Sequence, residues 1–170
     1  NFIAEPQDSL PDFLIYTQFG DTLTKEDLKG KVFTASFFTL SCGDDCEEMM
    51  RQLWITQESF KTFKLFRNLT FTLSPEADSL EELWRYGRNR GAKNKWIFAQ
   101  PQSKESAFAI AEKALKMDVV NDTVKMYSRT NDDALIDRRG RVRGYYSVSD
   151  SASMPVSYTH LTLPTTRGGV

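Results

Sequence analysis

Both cysteines of the chain fall within five residues of one another, in the stretch Ser41 to Cys46 (SCGDDC). Positions four apart on a helical turn advance about 6 Å and return to the same face. That separation lies inside the roughly 4.4–6.8 Å between Cα atoms that a disulfide tolerates. The apolar run before the motif reads as a strand and the pattern after it as a helix, which puts Cys42 at a helix N-terminus. There, unpaired amides and the helix dipole favour thiolate. Asp44 and Asp45 oppose part of that effect through their charge. Two chemistries suit such a pair: reversible thiol–disulfide exchange, and capture of a soft metal such as Cu(I) by two thiolates. The bland alternative is a pair of buried cysteines that only fill space.

The rest of the composition narrows the field. At 170 residues, 40% hydrophobic and 12% aromatic, the chain can bury one substantial core and is unlike a disordered segment. Twenty-two Lys and Arg against 23 Asp and Glu leave a net charge of −1, with no electrostatic case for nucleic acid or an anionic membrane surface. The longest apolar run, Val32 to Leu40, is too short to cross a bilayer. With two cysteines and one histidine, zinc fingers, multi-disulfide scaffolds and His-rich metal sites are excluded.

The ends carry their own expectations. The chain opens on Asn1 without a Met, which reads as a fragment or processed product, with a missing N-terminal anchor as the one route to a membrane. Val156 to Thr165 (VSYTHLTLPT) resembles a translated sequencing-library adapter. The expected organisation is therefore one domain over 1–155, truncated at both ends, and a poorly packed non-native tail over 156–170 that includes His160.

The elements that must position the cysteines follow from periodicity and caps. Phe13 to Tyr16 is a short strand before a Gly20-Asp21 turn. Thr24 and Asp27 form a capping box that opens one helical turn ending at Gly30. Lys31 to Phe38 (KVFTASFF) is β-branched and aromatic on both faces, as a strand buried between two layers must be. Cys46, Met50, Leu53, Phe60 and Phe63 recur at helical spacing, predicting a helix to about Phe66. Leu69 to Leu73 is a strand, and Ser79 with Glu82 caps a helix to about Arg90 that Gly91 stops. Trp96 to Ala99 is a strand, and Ser103 to Met117 is a helix. Ala134 to Asp137 pairs with Val142 to Val148 across Arg139-Gly140. This alternation predicts an α/β fold: a thioredoxin-like three-layer sandwich with a mixed central sheet.

With the motifs in place, the chain resembles the Sco/SenC family of thioredoxin-fold proteins. The matching stretches are Leu10 to Phe13 (LPDF), Glu26 to Lys31 (EDLKGK), Phe37 to Cys46 (FFTLSCGDDC), Thr72 to Asp78 (TLSPEAD), Gly91 to Trp96 and Leu135 to Tyr146 (LIDRRGRVRGYY). They run in the family's order from about Leu10 to Asp150, and the CxxxC spacing is the specific element. The resemblance implies copper as cargo on Cys42 and Cys46, and a role in copper delivery or thiol–disulfide exchange during respiratory oxidase assembly. It also implies an oxidase subunit or thiol-redox protein as partner, and a place in the cell envelope, periplasmic or membrane-anchored facing outward. On the enzymatic side, that role is a thiol-disulfide oxidoreductase acting through Cys42 and Cys46. The family's prolines after each cysteine are here Gly43 and Glu47. Its copper-binding histidine, eight residues before Asp137, is Arg129. A guanidinium that stays protonated cannot ligate copper, which leaves the third ligand open; Met126, a nearby thioether, is a candidate substitute, set against the commoner reading of a methionine in an apolar strand as core.

Other readings of the same residues stand beside this one. Thr39 and Cys42 have the Thr-x-x-Cys spacing of peroxiredoxins, with Arg129 available to hold a peroxide oxygen, although the proline of that motif falls at Ala35. In this reading Cys42 is a peroxidatic thiol resolved by Cys46. A thioredoxin-fold binding module without thiol chemistry is the third class. The basic run Arg85, Arg88, Arg90, Lys93 and Lys95 reads as a solvated helix end, where cations suit the dipole. Trp54, Trp84 and Trp96 read as packing residues. Glu76 and Asp78 are expected near the sheet edge, without paired-carboxylate chemistry.

Overall fold

A computed structural model describes residues 9–115 and 132–147. Met126, Arg129, His160 and the expected tail over 156–170 lie outside the described residues.

Seven strands form one mixed sheet: β1 (Leu14–Thr17), β2 (Thr22–Thr24), β3 (Val32–Phe38), β4 (Phe66–Thr72), β5 (Trp96–Pro101), β6 (Asp132–Ile136) and β7 (Val142–Ser147). Their spatial order is β2-β1-β5-β4-β3-β6-β7. The central three strands run parallel, with Phe37 beside Phe71 and Phe71 beside Ala99. β1 joins β5 and β6 joins β3 in antiparallel fashion. Three helices complete the fold: α1 (Glu47–Ser59), α2 (Leu80–Asn89) and α3 (Lys104–Leu115). The result is the thioredoxin-like α/β arrangement expected from the alternation.

β3 is buried along its whole length because each face meets a different layer. Phe33, Ala35 and Phe37 join Phe71, Ala99, Phe108 and Ile110 in the core under α3. Val32 and Phe38 join Met49, Met50, Leu53, Leu83 and Phe98 in the core under α1 and α2. Between those apolar ends the second face carries a buried polar ladder. Thr34 Oγ1 donates to Asn68 Oδ1 at 2.8 Å, and Asn68 Nδ2 donates to the Leu53 carbonyl of α1 at 3.1 Å. Ser36 Oγ lies 2.9 Å from Thr70 Oγ1, which also accepts from Trp96 Nε1 at 2.9 Å. Buried polar groups are tolerable only when paired, and this ladder pairs them while tying α1 to the sheet.

The predicted boundaries hold where caps mark them. Ser79 and Glu82 form a reciprocal capping box at α2, Thr24 and Asp27 exchange side-chain and backbone bonds, and Gly91 and Gly140 take positive φ. The helix expected to reach Phe66 instead ends at Ser59. Phe60, Phe63 and Phe66 follow as successive turns, so their helical spacing comes from turns, and Phe66 opens β4. That strand begins three residues before the expected Leu69, because Asn68, polar in type, is spent on the buried ladder. Next to β1, Gln18 continues the pairing by its side chain: Phe98 N–H donates to Gln18 Oε1 and Gln18 Nε2 donates to the Trp96 carbonyl, both at 2.9 Å.

Candidate functional site

The motif sits where β3 leaves the sheet. Leu40–Cys46 is a run of tight 3-10 turns broken at Gly43, whose φ of 60° and ψ of −135° are open to glycine and strained for any L side chain. A proline, with φ fixed near −65°, cannot occupy this backbone, so glycine after the first cysteine goes with a differently shaped loop from one built on Cys-Pro. Nothing lies within 4 Å of where a Cβ would stand on Gly43; the requirement for glycine is therefore one of backbone alone.

Cys42 and Cys46 are joined by a disulfide, with their Cα atoms 5.8 Å apart, inside the range expected from their spacing. The expected placement of Cys42 at a helix N-terminus needs correction. The break at Gly43 separates Cys42 from the helix, α1 starts at Glu47, and Cys46 is its N-cap. The N-terminus of α1 therefore lies at the second cysteine, whose side chain makes no cap hydrogen bond in the disulfide form. Exposure divides the pair too: Cys42 is half-buried, whereas Cys46 is 7% exposed among the side chains under α1 and α2.

A buried carboxylate fixes the root of the loop. Asp78 Oδ2 accepts from the Leu40 N–H at 3.0 Å and from Thr72 Oγ1 at 2.6 Å, and Asp78 is 5% exposed. Gln100 Nε2 holds the same turn through the carbonyls of Pro75 and Asp78. Sequence reasoning placed Asp78 near the sheet edge but missed this clamp; its only signal was membership of the Thr72 to Asp78 stretch. Glu76, its neighbour, caps the start of α3 by accepting from the Lys104 N–H.

The remaining candidates have local occupations. Thr39 is buried and its hydroxyl pairs with Ser41 Oγ at 3.1 Å. Glu47 follows Cys46 directly and bridges to Arg90 at 2.5 Å. The Arg90 guanidinium lies 3.7 Å above the Tyr86 ring. Burial pushes the Tyr86 phenol above its ordinary pKa, against the opposing pull of Arg90. Hydrogen bonds from Arg51 and Gln52 hold the Glu48 carboxyl below the ordinary range. The rest of the basic run is spent in the same way: Arg85 on Glu81, Lys93 on Glu58, Arg88 over Trp84, and Lys95 on the Phe60 and Phe63 carbonyls. Trp96 is fully buried, while Trp54 and Trp84 are about 40% exposed. No group of three or more His, Cys, Asp or Glu side chains is placed to hold a metal among the described residues.

A family model described as SCO1/SenC matches residues 3–158. The chain belongs to the SCO1/SenC family. No curated protein matches its sequence. Among solved structures it is similar to a SCO1/SenC family lipoprotein from Bacillus anthracis str. Ames, at 22% identity and a TM-score of 0.75 over 94% of this chain and 98% of that one. BsSco, described as a member of the Sco family of cytochrome c oxidase assembly proteins with a disulfide switch, matches at 20% identity and a TM-score of 0.75 over 94% and 97%. Yeast Sco1, crystallised with copper bound, matches at 17% identity and a TM-score of 0.67 over 94% and 98%. Among the described residues, no helix of this Sco-family chain is long and apolar enough to cross a membrane.

Proposed function

We propose that this Sco-family protein works through Cys42 and Cys46 in the cell envelope, cycling between disulfide and dithiol and carrying Cu(I) as cargo in the reduced state, in service of respiratory oxidase assembly. The observation that carries the reading is the Cys42–Cys46 disulfide in the loop that follows β3, with Cys42 half-buried and Cys46 buried.

The asymmetry sets the order of exchange. A partner thiolate reaches Cys42 Sγ, a new S–S bond forms there, and the Cys42–Cys46 bond breaks with its electron pair going to Cys46. The departing thiolate sits at the N-cap of α1, where the helix dipole favours a negative charge. A second thiol of the partner then displaces Cys42, so that the partner's dithiol loses two electrons and two protons and this pair gains them. Once reduced, the pair offers two soft thiolates four residues apart, a donor set that selects Cu(I). Met126 is the candidate third donor, since Arg129 stands at the position the family gives to histidine. The partner is then a copper-accepting oxidase subunit or a thiol-redox protein.

The test is an anaerobic Cu(I) titration of the reduced protein against a competing chelator, beside a Cys42→Ser variant. One-to-one binding that the variant loses supports copper delivery. Copper uptake and redox titration both unchanged in Cys42→Ser would overturn the proposal.

A further inference from the structure

The clamp made by Asp78 has a bearing on the dithiol that extends the function proposed above and rests on it. Two donors from two segments meet at one carboxylate oxygen supplied by a third. The Leu40 N–H opens the cysteine loop, the Thr72 hydroxyl ends β4, and the carboxylate precedes the N-cap of α2. Thr72 is paired with Phe38 across the sheet and its Oγ1 also accepts from the Ser74 N–H at 3.0 Å. The loop root is thus held from β4, its neighbouring strand, and from the turn before α2. Two residues further on, the Cys42 N–H donates to the Thr39 carbonyl at 3.1 Å, so the backbone that Asp78 fixes is continuous with the backbone that aims Cys42.

We infer that Asp78 is a positioning residue for the Cys42–Cys46 pair, holding the loop in the conformation that brings the two sulfurs together and thereby favouring the disulfide over the dithiol. The physical route is preorganisation. A loop root fixed by a buried, charge-assisted hydrogen bond loses less freedom on ring closure than a loose one. The negative charge is a second contribution, of the sign that disfavours thiolate, and the two separate by substitution. Asp78→Asn keeps a side-chain oxygen to accept from Leu40 and Thr72 while removing the charge. Asp78→Ala removes both.

The experiment equilibrates the full chain with dithiothreitol redox buffers and reads the fraction of Cys42–Cys46 disulfide by thiol trapping and mass. Loss of a charge-assisted bond of this kind is expected to shift the equilibrium of Asp78→Ala toward the dithiol by about ten-fold, which is about 30 mV for a two-electron couple. Asp78→Asn is expected to stay within about three-fold of the parent, because a neutral acceptor keeps about half the strength of a charge-assisted bond. Leu40→Pro approaches the same bond from the other side. It deletes the donor, and the extended Thr39 before it tolerates a following proline. In a double-mutant cycle Asp78→Ala with Leu40→Pro is expected to shift no further than the larger single change.

The inference is overturned by an unmoved equilibrium in Asp78→Ala, by an Asp78→Asn shift as large as that of Asp78→Ala, or by additive shifts in the double variant. If Asp78→Ala fails to fold, Asp78→Asn and Leu40→Pro carry the comparison alone: the first near the parent and the second shifted supports the clamp, and any other pair of results rejects it. A parent whose disulfide cannot be cycled by dithiothreitol would defeat the proposed function itself, a result distinct from all of these.

Discussion

Reducing the Cys42–Cys46 bond should lower the stability of the whole domain by an amount set by the size of its loop. The bridged residues are four apart in sequence, so the closed loop contains about five residues. The chain-entropy relation then gives about 7 cal/mol/K removed from the unfolded ensemble, or about 2 kcal/mol at room temperature. For a domain of this size each kcal/mol moves the melting temperature by roughly 2–4 °C, so reduction should lower it by roughly 4–8 °C. By the same cycle, folding should favour the disulfide over the dithiol by about 30-fold relative to the unfolded chain, or about 45 mV. The assay is thermal unfolding followed by circular dichroism, with and without a phosphine reductant, on the parent and on a Cys42→Ser/Cys46→Ser variant. The double variant should ignore the reductant and melt with the reduced parent. A reduced parent that melts at or above the oxidised protein would refute the reasoning. It would mean that closing this loop costs as much in the native state as it removes from the unfolded one.

Three further outcomes are expected. Gly43→Ala meets no neighbouring atom, yet forces an L side chain into a strained backbone region, and should destabilise the oxidised protein by about 1–3 kcal/mol in urea unfolding; an unchanged midpoint would show that the loop relaxes at no cost. Asn68→Ala removes a buried side chain that serves both Thr34 and the Leu53 carbonyl, and should cost about 1–3 kcal/mol in urea unfolding by leaving the buried Thr34 hydroxyl without its acceptor. Tyr86 has its phenol pKa raised by burial. The folded protein therefore holds that proton above the ordinary value of about 10, and its contribution to stability is present below that pH and lost as pH rises through the folded pKa. Tyr86→Phe should flatten the loss of stability in that alkaline window, and an unchanged slope in pH-dependent urea unfolding would count against the burial argument.

How far the sequence could be read depended on how local each signal was. The capping box at Ser79 and Glu82 and the glycine stops are decided by a few adjacent residues, and they stand where they were expected. The CxxxC spacing likewise put two sulfurs within bonding distance. What the pattern missed was decided by distant partners. Asn68 and Thr34 look like interruptions of apolar strands until their hydrogen bonds to each other and to Leu53 are seen. Phe60 and Phe63 carry helical spacing through a stretch of turns, because turns and helices both advance the chain by three or four residues. The site followed the same division. Cys42 and Cys46 were legible from type and spacing, while the choice of Cys46 as the helix cap hinged on the backbone of Gly43. The role of Asp78 needed the knowledge that a residue 36 positions from Cys42 lies against the root of its loop.

The side chain of Gln18 has a consequence for self-association. An open run of strand backbone is a template on which a second chain can add a strand. Past Thr17, where β1 stops, β5 would present the N–H of Phe98 and the carbonyl of Trp96 as such a template. One glutamine amide, being chemically a peptide group turned sideways, occupies both. It lets β1 end early without leaving a sticky flank, and it does so with a group that has no further backbone to extend the ladder. Losing that amide would expose a short stretch of β5 to pairing between molecules, a liability in solubility rather than in redox chemistry.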